Sequence, residues 1–363
     1  MTADKVIVYI MACFAVLGAA DRICGNRFGI GKKFEEGFMV MGPLALSMVG
    51  MLVIAPVIAD TLSPVLTPFF KMIGSDPSVF AGIFLGTDMG GAPLAREMAA
   101  SADAADMSGM LVGAMLGITI VFTIPVMLQI AGKDSEWLAG GMIAGIITIP
   151  IGCFIGGIAA GFSISLILHT LVPVTAVSIL LALGIWKFRS KLVKGFIVFG
   201  KFILCLSTAG IALGIMKSLM GLEPIHGLSP IEDAFAVVAN CAIFLSGAFP
   251  LMHILSRLLS RPLTALGTKM GMNRMAAAGL MLTLVNVIPM AESMGDMDDR
   301  GKIINSAFCV SAAFTLGDYF AYAASYNLPM LIPAIIGKFA GGVSAVILAL
   351  ILYRNVPAAA PEK

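Results

Sequence analysis

Asp88 sits inside an apolar run, in Thr87-Asp88-Met89-Gly90-Gly91-Ala92-Pro93. An ionisable side chain at membrane depth is costly, and its default reading is functional. Two glycines and a proline weaken helix at the same point. Freed carbonyls and helix ends can then help a carboxylate hold a polar solute. The other reading of Asp88 is a carboxylate capping the broken helix end, and the two are compatible. Asp318 stands in Phe314-Thr315-Leu316-Gly317-Asp318-Tyr319-Phe320, where aromatic neighbours such as Tyr319 suit a cation. Its alternative is an Asp near a helix end, paired with a basic group. Asn286 opens Asn286-Val287-Ile288-Pro289, a second weakened stretch. It could bond a hydroxyl or simply join two helices. Glu292 follows Pro289 and is either a site carboxylate or a solvated neighbour of Asp296, Asp298 and Asp299.

Other candidates point nowhere. Glu35, Glu36, Glu232 and Asp233 flank helix starts, where the macrodipole favours acid. His169, His226 and His253 lack metal-ligand spacing. Cys13, Cys24, Cys153, Cys205, Cys241 and Cys309 are scattered without a C-x-x-C and read as small packing residues. Gly25, Gly29 and Gly31 imitate a nucleotide loop but follow no strand. No metal or cofactor is expected.

The elements that must position these residues are membrane helices. The chain is 59% hydrophobic and 12% charged, with mean hydropathy +1.00. Apolar runs near 20 residues recur, each long enough to cross ~30 Å of hydrocarbon, and none alternates as a barrel strand would. The fold class is an all-α polytopic membrane protein of about 9 to 11 segments. Segments are expected at 5–20, 37–60, 78–95, 107–131, 138–161, 163–186, 196–219, 234–256, 275–294, 303–325 and 331–353, with short amphipathic pieces at 62–73 and 258–269. A signal peptide ending at Ala20 is the lesser reading of the first run. A net charge of +2 without a polybasic tail argues against nucleic acid.

The chain also repeats itself. Residues 73–82 are echoed by 270–279, an offset of 278 − 81 = 197. The same offset pairs Glu35, Glu36, Phe38 and Gly50 with Glu232, Asp233, Phe235 and Gly247. The stretch from Ile151 to Gly157 is echoed from Ile336 to Gly342. Two repeats are expected, 1–162 and 195–363, joined by a linker helix and basic loop at 163–194. If 62–95 and 258–294 are re-entrant, one side collects nearly all 23 Lys and Arg. Only Lys5, Lys71, Arg96, Lys217 and Lys338 are left off it. The repeats are then inverted, a transporter plan whose site lies where broken segments meet near the midplane. Gly109/Gly113/Gly117, Gly152/Gly156 and Gly157/Gly161 are expected to pack helices closely within the bundle; a dimer seam is the alternative, so a homo-oligomer stays open.

The strings Phe34-Glu35-Glu36-Gly37-Phe38, Thr87-Asp88-Met89-Gly90-Gly91 and Thr148-Ile149-Pro150-Ile151-Gly152-Cys153 closely resemble the ethanolamine-utilisation permease family, EutH. Ile288-Pro289-Met290 and Leu316-Gly317-Asp318 are similar to it as well, and the likeness runs from about residue 5 to residue 350. The resemblance implies a multi-pass protein of the bacterial inner membrane that moves ethanolamine, used as carbon or nitrogen source, and is not an enzyme. Ethanolamine is mostly a cation at neutral pH and faces a large desolvation cost in lipid. Its site needs a carboxylate, Asp88 or Asp318, and a partner for the hydroxyl, Asn286 or Thr87. An ion-coupled carrier of another small organic solute is the alternative. An intramembrane aspartyl protease fits poorly, because neither Asp stands in that class's motifs.

Cysteines placed at 103 and 226, in a background without the native six, test the orientation. Both are expected to react with an impermeant thiol reagent from the periplasmic side; reaction from the cytoplasm alone would contradict the inverted arrangement.

Overall fold

The computed structural model describes residues 3–130 and 135–357. Helix α1 (Ala3–Ile23) leads through a glycine turn to α2 (Ile30–Met39) and the long α3 (Met41–Met72). Two short helices follow, α4 (Val79–Phe84) and α5 (Gly91–Met98), separated by a single turn at Thr87–Met89. The next span begins as α6 (Ala102–Asp106), widens into π-helix over Met107–Gly117 and Thr119–Thr123, and ends as α7 (Ile124–Ile130). Then come α8 (Ser135–Ala159), α9 (Ile164–Met220) and α10 (Ile231–Lys269). A second broken pair is α11 (Arg274–Val285) with α12 (Val287–Glu292), and a third is α13 (Asp299–Ala312) with α14 (Asp318–Tyr326). Helix α15 (Leu331–Leu352) closes the described chain.

Among the described residues eight helical stretches are long and apolar enough to cross a membrane. The most enclosed is Ala102–Met127, with 89% of its apolar window buried, against 17% for Val6–Ile23. The π-helical span is therefore the centre of the bundle, and α1 is peripheral. Exposed apolar side chains such as Val16, Leu180, Trp186 and Val198 give the outer surface the character that lipid requires.

Small residues set the close crossings, as expected where lipid removes the hydrophobic drive between helices. Helix α8 meets α15 glycine to glycine: a Cβ on Gly337 would stand 2.8 Å from the Gly152 carbonyl oxygen and 3.0 Å from Gly156 Cα. Helix α3 meets α9 where Gly50 lies against the Ser207 backbone and Gly210 against that of Gly50. Helix α10 meets α1 where Gly247 lies against Met11. Near the start of the chain, the Asp21 carboxylate accepts Phe28 N–H (3.0 Å) and Gly31 N–H (2.8 Å). That pins the turn in which Gly25 (φ 86°) and Gly29 (φ 77°) take left-handed backbone, so these glycines serve a loop. The 221–230 connection is tied by Lys217, whose ammonium donates to Glu223 (2.8 Å) and to the Leu228 carbonyl (2.6 Å). The first of these bonds holds the Glu223 carboxyl below the usual range.

Four expectations change. The pieces 62–73 and 258–269 are continuous with α3 and α10, despite Pro56, Pro64 and Pro68 inside α3. The basic loop expected at the end of 163–194 is helical: 163–186 and 196–219 join as α9, kinked where Phe188 leaves helical angles. Lys187, Lys191 and Lys194 are exposed on this bend, so their charge needed no loop to reach solvent. The segment 303–325 is broken at 313–317 rather than continuous. Glu35 and Glu36 lie in the second half of α2, paired with Arg22 (3.4 Å) and Lys33 (2.6 Å), while Glu232 and Asp233 do occupy a first helical turn.

Gly337→Val should cost about 1–3 kcal/mol by overpacking α15 on α8. Gly42→Ala, whose Cβ meets nothing within 4 Å, should be close to neutral. Thermal unfolding in detergent distinguishes the two.

Candidate functional site

Helix α4 stops because Leu85 (φ −126°, ψ 138°) and Gly86 (φ −64°, ψ 149°) are extended. Gly86 O then accepts from Met89 N (3.0 Å) and Gly91 N (2.9 Å), closing a tight turn that carries Asp88. Gly90 must be glycine: its φ is 96° and a Cβ would stand 2.5 Å from Met51 Cβ. The turn presents Asp88 half-buried, with Thr87 buried beside it.

The other two breaks brace each other. Asn286 is extended (φ −155°, ψ 137°), and its Oδ1 accepts Ile288 N–H (2.9 Å) to cap α12. After α13 ends, Phe314 takes φ 60°, and its N–H donates to Thr283 O (3.1 Å); Leu316 N–H donates to Leu284 O (2.8 Å). Gly317 lies directly against the Val285 carbonyl, an approach that leaves no room for a Cβ. Irregular backbone at membrane depth must be satisfied within the protein, and these bonds from the 314–316 stretch to the end of α11 contribute to that.

The site residues converge on the central π-helix. Thr87 Oγ1 donates to Gly109 O (2.7 Å), the Tyr319 hydroxyl to Met110 O (2.9 Å) and Lys338 Nζ to Ala114 O (2.6 Å). A π-helix shifts hydrogen bonding to i→i+5 and is frequent at functional sites. Here its carbonyls receive one side chain from each of three elements: the turn after α4, α14, and α15. Lys338 Nζ also stands 4.9 Å from the Tyr319 ring centroid. Thr87, Asp88, Ala114, Phe314, Tyr319 and Lys338 are among the residues enclosing a small cavity. Its volume is about 10 Å³ for the centre of a water-sized sphere, roughly one water molecule.

Of the residues singled out in the sequence, Thr87, Asp88 and Tyr319 share this cavity. Asp318 is half-buried at the start of α14, next to Tyr319, but does not line it. Asn286 acts as a helix cap, and Glu292 is exposed at the end of α12. Lys338 was not singled out. The signal was present: a lone Lys in the apolar run of α15, left off the basic side when charges were assigned. Among the described residues no group of three or more His, Cys, Asp or Glu is placed to hold a metal ion.

Two larger hollows adjoin the breaks. One, about 280 Å³, is lined by Lys33, Glu36, His253 and Val285, the last directly before Asn286. The other, about 220 Å³, is lined by Pro93, Arg96, Glu97, Asp233 and Tyr326. Tyr326 stacks on Tyr322 (5.1 Å, 15°), and Asp318, Tyr322 and Tyr326 recur every four residues on one face of α14. The Tyr322 hydroxyl is buried and, among the described residues, has no hydrogen-bond partner.

Apolar spans enclosing a carboxylate, a lysine and an aromatic hydroxyl among broken helices define a multi-pass helical membrane protein with a polar site in its interior. The chain belongs to the family described as "Ethanolamine utilisation protein, EutH", whose model matches residues 3–352. It is 46% identical to the "Probable ethanolamine permease EutH" of Listeria monocytogenes, covering 98% of this chain and 96% of that protein. It is 43% identical to the protein of the same name in Escherichia coli, covering 100% and 98%. An "Uncharacterized protein YxeR" of Bacillus subtilis is 42% identical over 95% and 94%. No solved structure matches the chain.

Tyr319→Phe keeps the ring over Lys338 and removes the bond to Met110 O. A loss of about 1 kcal/mol of stability is expected, read by thermal unfolding, whereas Tyr319→Leu should lose more.

Proposed function

We propose that the protein is a permease carrying the ethanolamine cation across the bacterial inner membrane, and that it is a carrier rather than an enzyme. The observation that carries this reading is the small cavity lined together by a carboxylate residue, Asp88, an aromatic residue, Tyr319, and a hydroxyl residue, Thr87. A small ammonium alcohol needs those three partners: a counter-charge, a π face and a hydrogen-bonding group. The permease names of the relatives support the substrate. Only one of the two candidate carboxylates lines the cavity, which disfavours a paired-aspartate hydrolase. Asp318 and Tyr322 lie on the same face of α14 as Tyr326, which lines the outer hollow, and in this reading serve the approach.

The repeats 1–162 and 195–363 are part of the same reading, with 163–194 between them. Their support comes from matched contacts. Gly82 lies against Ser108 in the first half and Gly279 against Asn305 in the second, pairs related by 279 − 82 = 197 and 305 − 108 = 197. Where α8 meets α15, Gly152 approaches its counterpart Gly337, while Gly152 approaches Gly341 and Gly156 approaches Gly337. Such reciprocal contacts are what a two-fold relation produces, and inverted repeats place substrate at the interface between them.

Purified protein in liposomes should take up labelled ethanolamine from an acidic medium, where leak of the neutral amine is small. Asp88→Asn should lower affinity by about 30-fold or more, the cost of unpairing a buried charge, with its melting temperature preserved. Normal uptake by that variant would remove Asp88 from the site. Uptake of a different organic solute in preference to ethanolamine would overturn the substrate assignment.

A further inference from the structure

Ethanolamine recognition uses Asp88 and leaves Lys338 without a task. Lys338 is 1% exposed in the interior of α15. A buried ammonium in a membrane span pairs with a carboxylate or with backbone carbonyls, and among the described residues no direct ion pair reaches Lys338. Its charge is met by the Ala114 carbonyl at 2.6 Å and the face of Tyr319 at 4.9 Å, beside the cavity lined by Asp88. Those are the partners a primary ammonium ligand would use. The cavity left over, about 10 Å³, is too small for a two-carbon amine. A lysine head on a flexible four-carbon stem can withdraw.

We propose that Lys338 is a tethered stand-in for the substrate cation. In the empty protein its ammonium fills the subsite formed by the Ala114 carbonyl, the Tyr319 ring and the charge of Asp88. Substrate enters as the lysine head swings out. The inference rests on the reading of the protein as a carrier of a primary ammonium, and it adds two consequences. The lysine competes with substrate and so lowers apparent affinity by the fraction of time that it occupies the subsite. It also keeps a positive charge facing Asp88 during the empty return step, when an uncompensated buried carboxylate would be costly.

Lys338→Met separates these effects. Exchange of labelled for unlabelled ethanolamine across the vesicle wall needs only loaded steps and should persist, with a half-saturation concentration about tenfold lower. Net uptake into empty vesicles needs the empty return and should fall about tenfold or more, with Lys338→Arg restoring it. Exchange and net uptake falling together, or both staying unchanged, would overturn the proposal. A second measurement uses the unaltered protein: reductive methylation of Lys338, taken by mass spectrometry relative to exposed Lys187 because ethanolamine also consumes the reagent, should rise when ethanolamine is added. Unchanged or reduced methylation would also overturn it. The unaltered protein is run with methylammonium as well. Exchange of methylammonium without ethanolamine would overturn the substrate assignment, with the lysine comparison then read on methylammonium. Exchange of neither would overturn both.

Discussion

Every polar backbone group at membrane depth must find a partner inside the protein, and the site depends on how this chain meets that demand. Three helices are interrupted, and each interruption releases amide and carbonyl groups. The turn at Thr87–Met89 satisfies itself through the Gly86 carbonyl. The turn after α13 donates to the end of α11. The π-helical span provides carbonyls in the other direction, receiving Thr87, Tyr319 and Lys338. Breaks that would be ruinous in contact with lipid become the walls of a polar chamber, because the most deeply buried span stands behind them.

The same demand explains the glycines. Backbone groups of two elements can bond to each other only if the two backbones approach closely. Gly317 against Val285, Gly82 against Ser108 and Gly117 against Leu85 are such approaches. Larger residues there would separate the elements whose ends carry Asp88 and Tyr319. Packing and chemistry are thus one constraint: the small residues that join helices in lipid also set the width of the chamber.

Much of this was legible in the residues. Membrane helices follow from apolar run length, and the first two breaks from Gly90-Gly91 with Pro93 and from Asn286 with Pro289. Asp88, Thr87 and Tyr319, which line one cavity, stand out in the sequence because polar groups in apolar runs are conspicuous. The third break was hidden, since Phe314-Thr315-Leu316 carries no strong helix breaker and is held by contacts with Thr283 and Leu284, distant in sequence. The π-helix left no trace, because a change of hydrogen-bond register leaves composition untouched. Glu292 is exposed, because proximity to a break along the chain does not set which way a side chain faces. Lys338 was visible as a misplaced charge, but its neighbour Tyr319 lies on a different helix, and only the fold brings them together.

A map of the purified protein with bound ethanolamine, obtained by electron cryomicroscopy, tests the central claim most directly. The predicted result is substrate density between the Asp88 carboxylate and the Tyr319 ring, with Lys338 displaced from the Ala114 carbonyl. Density confined to the hollow at Lys33 and Glu36, or a lysine still seated on Ala114 beside bound substrate, would contradict it.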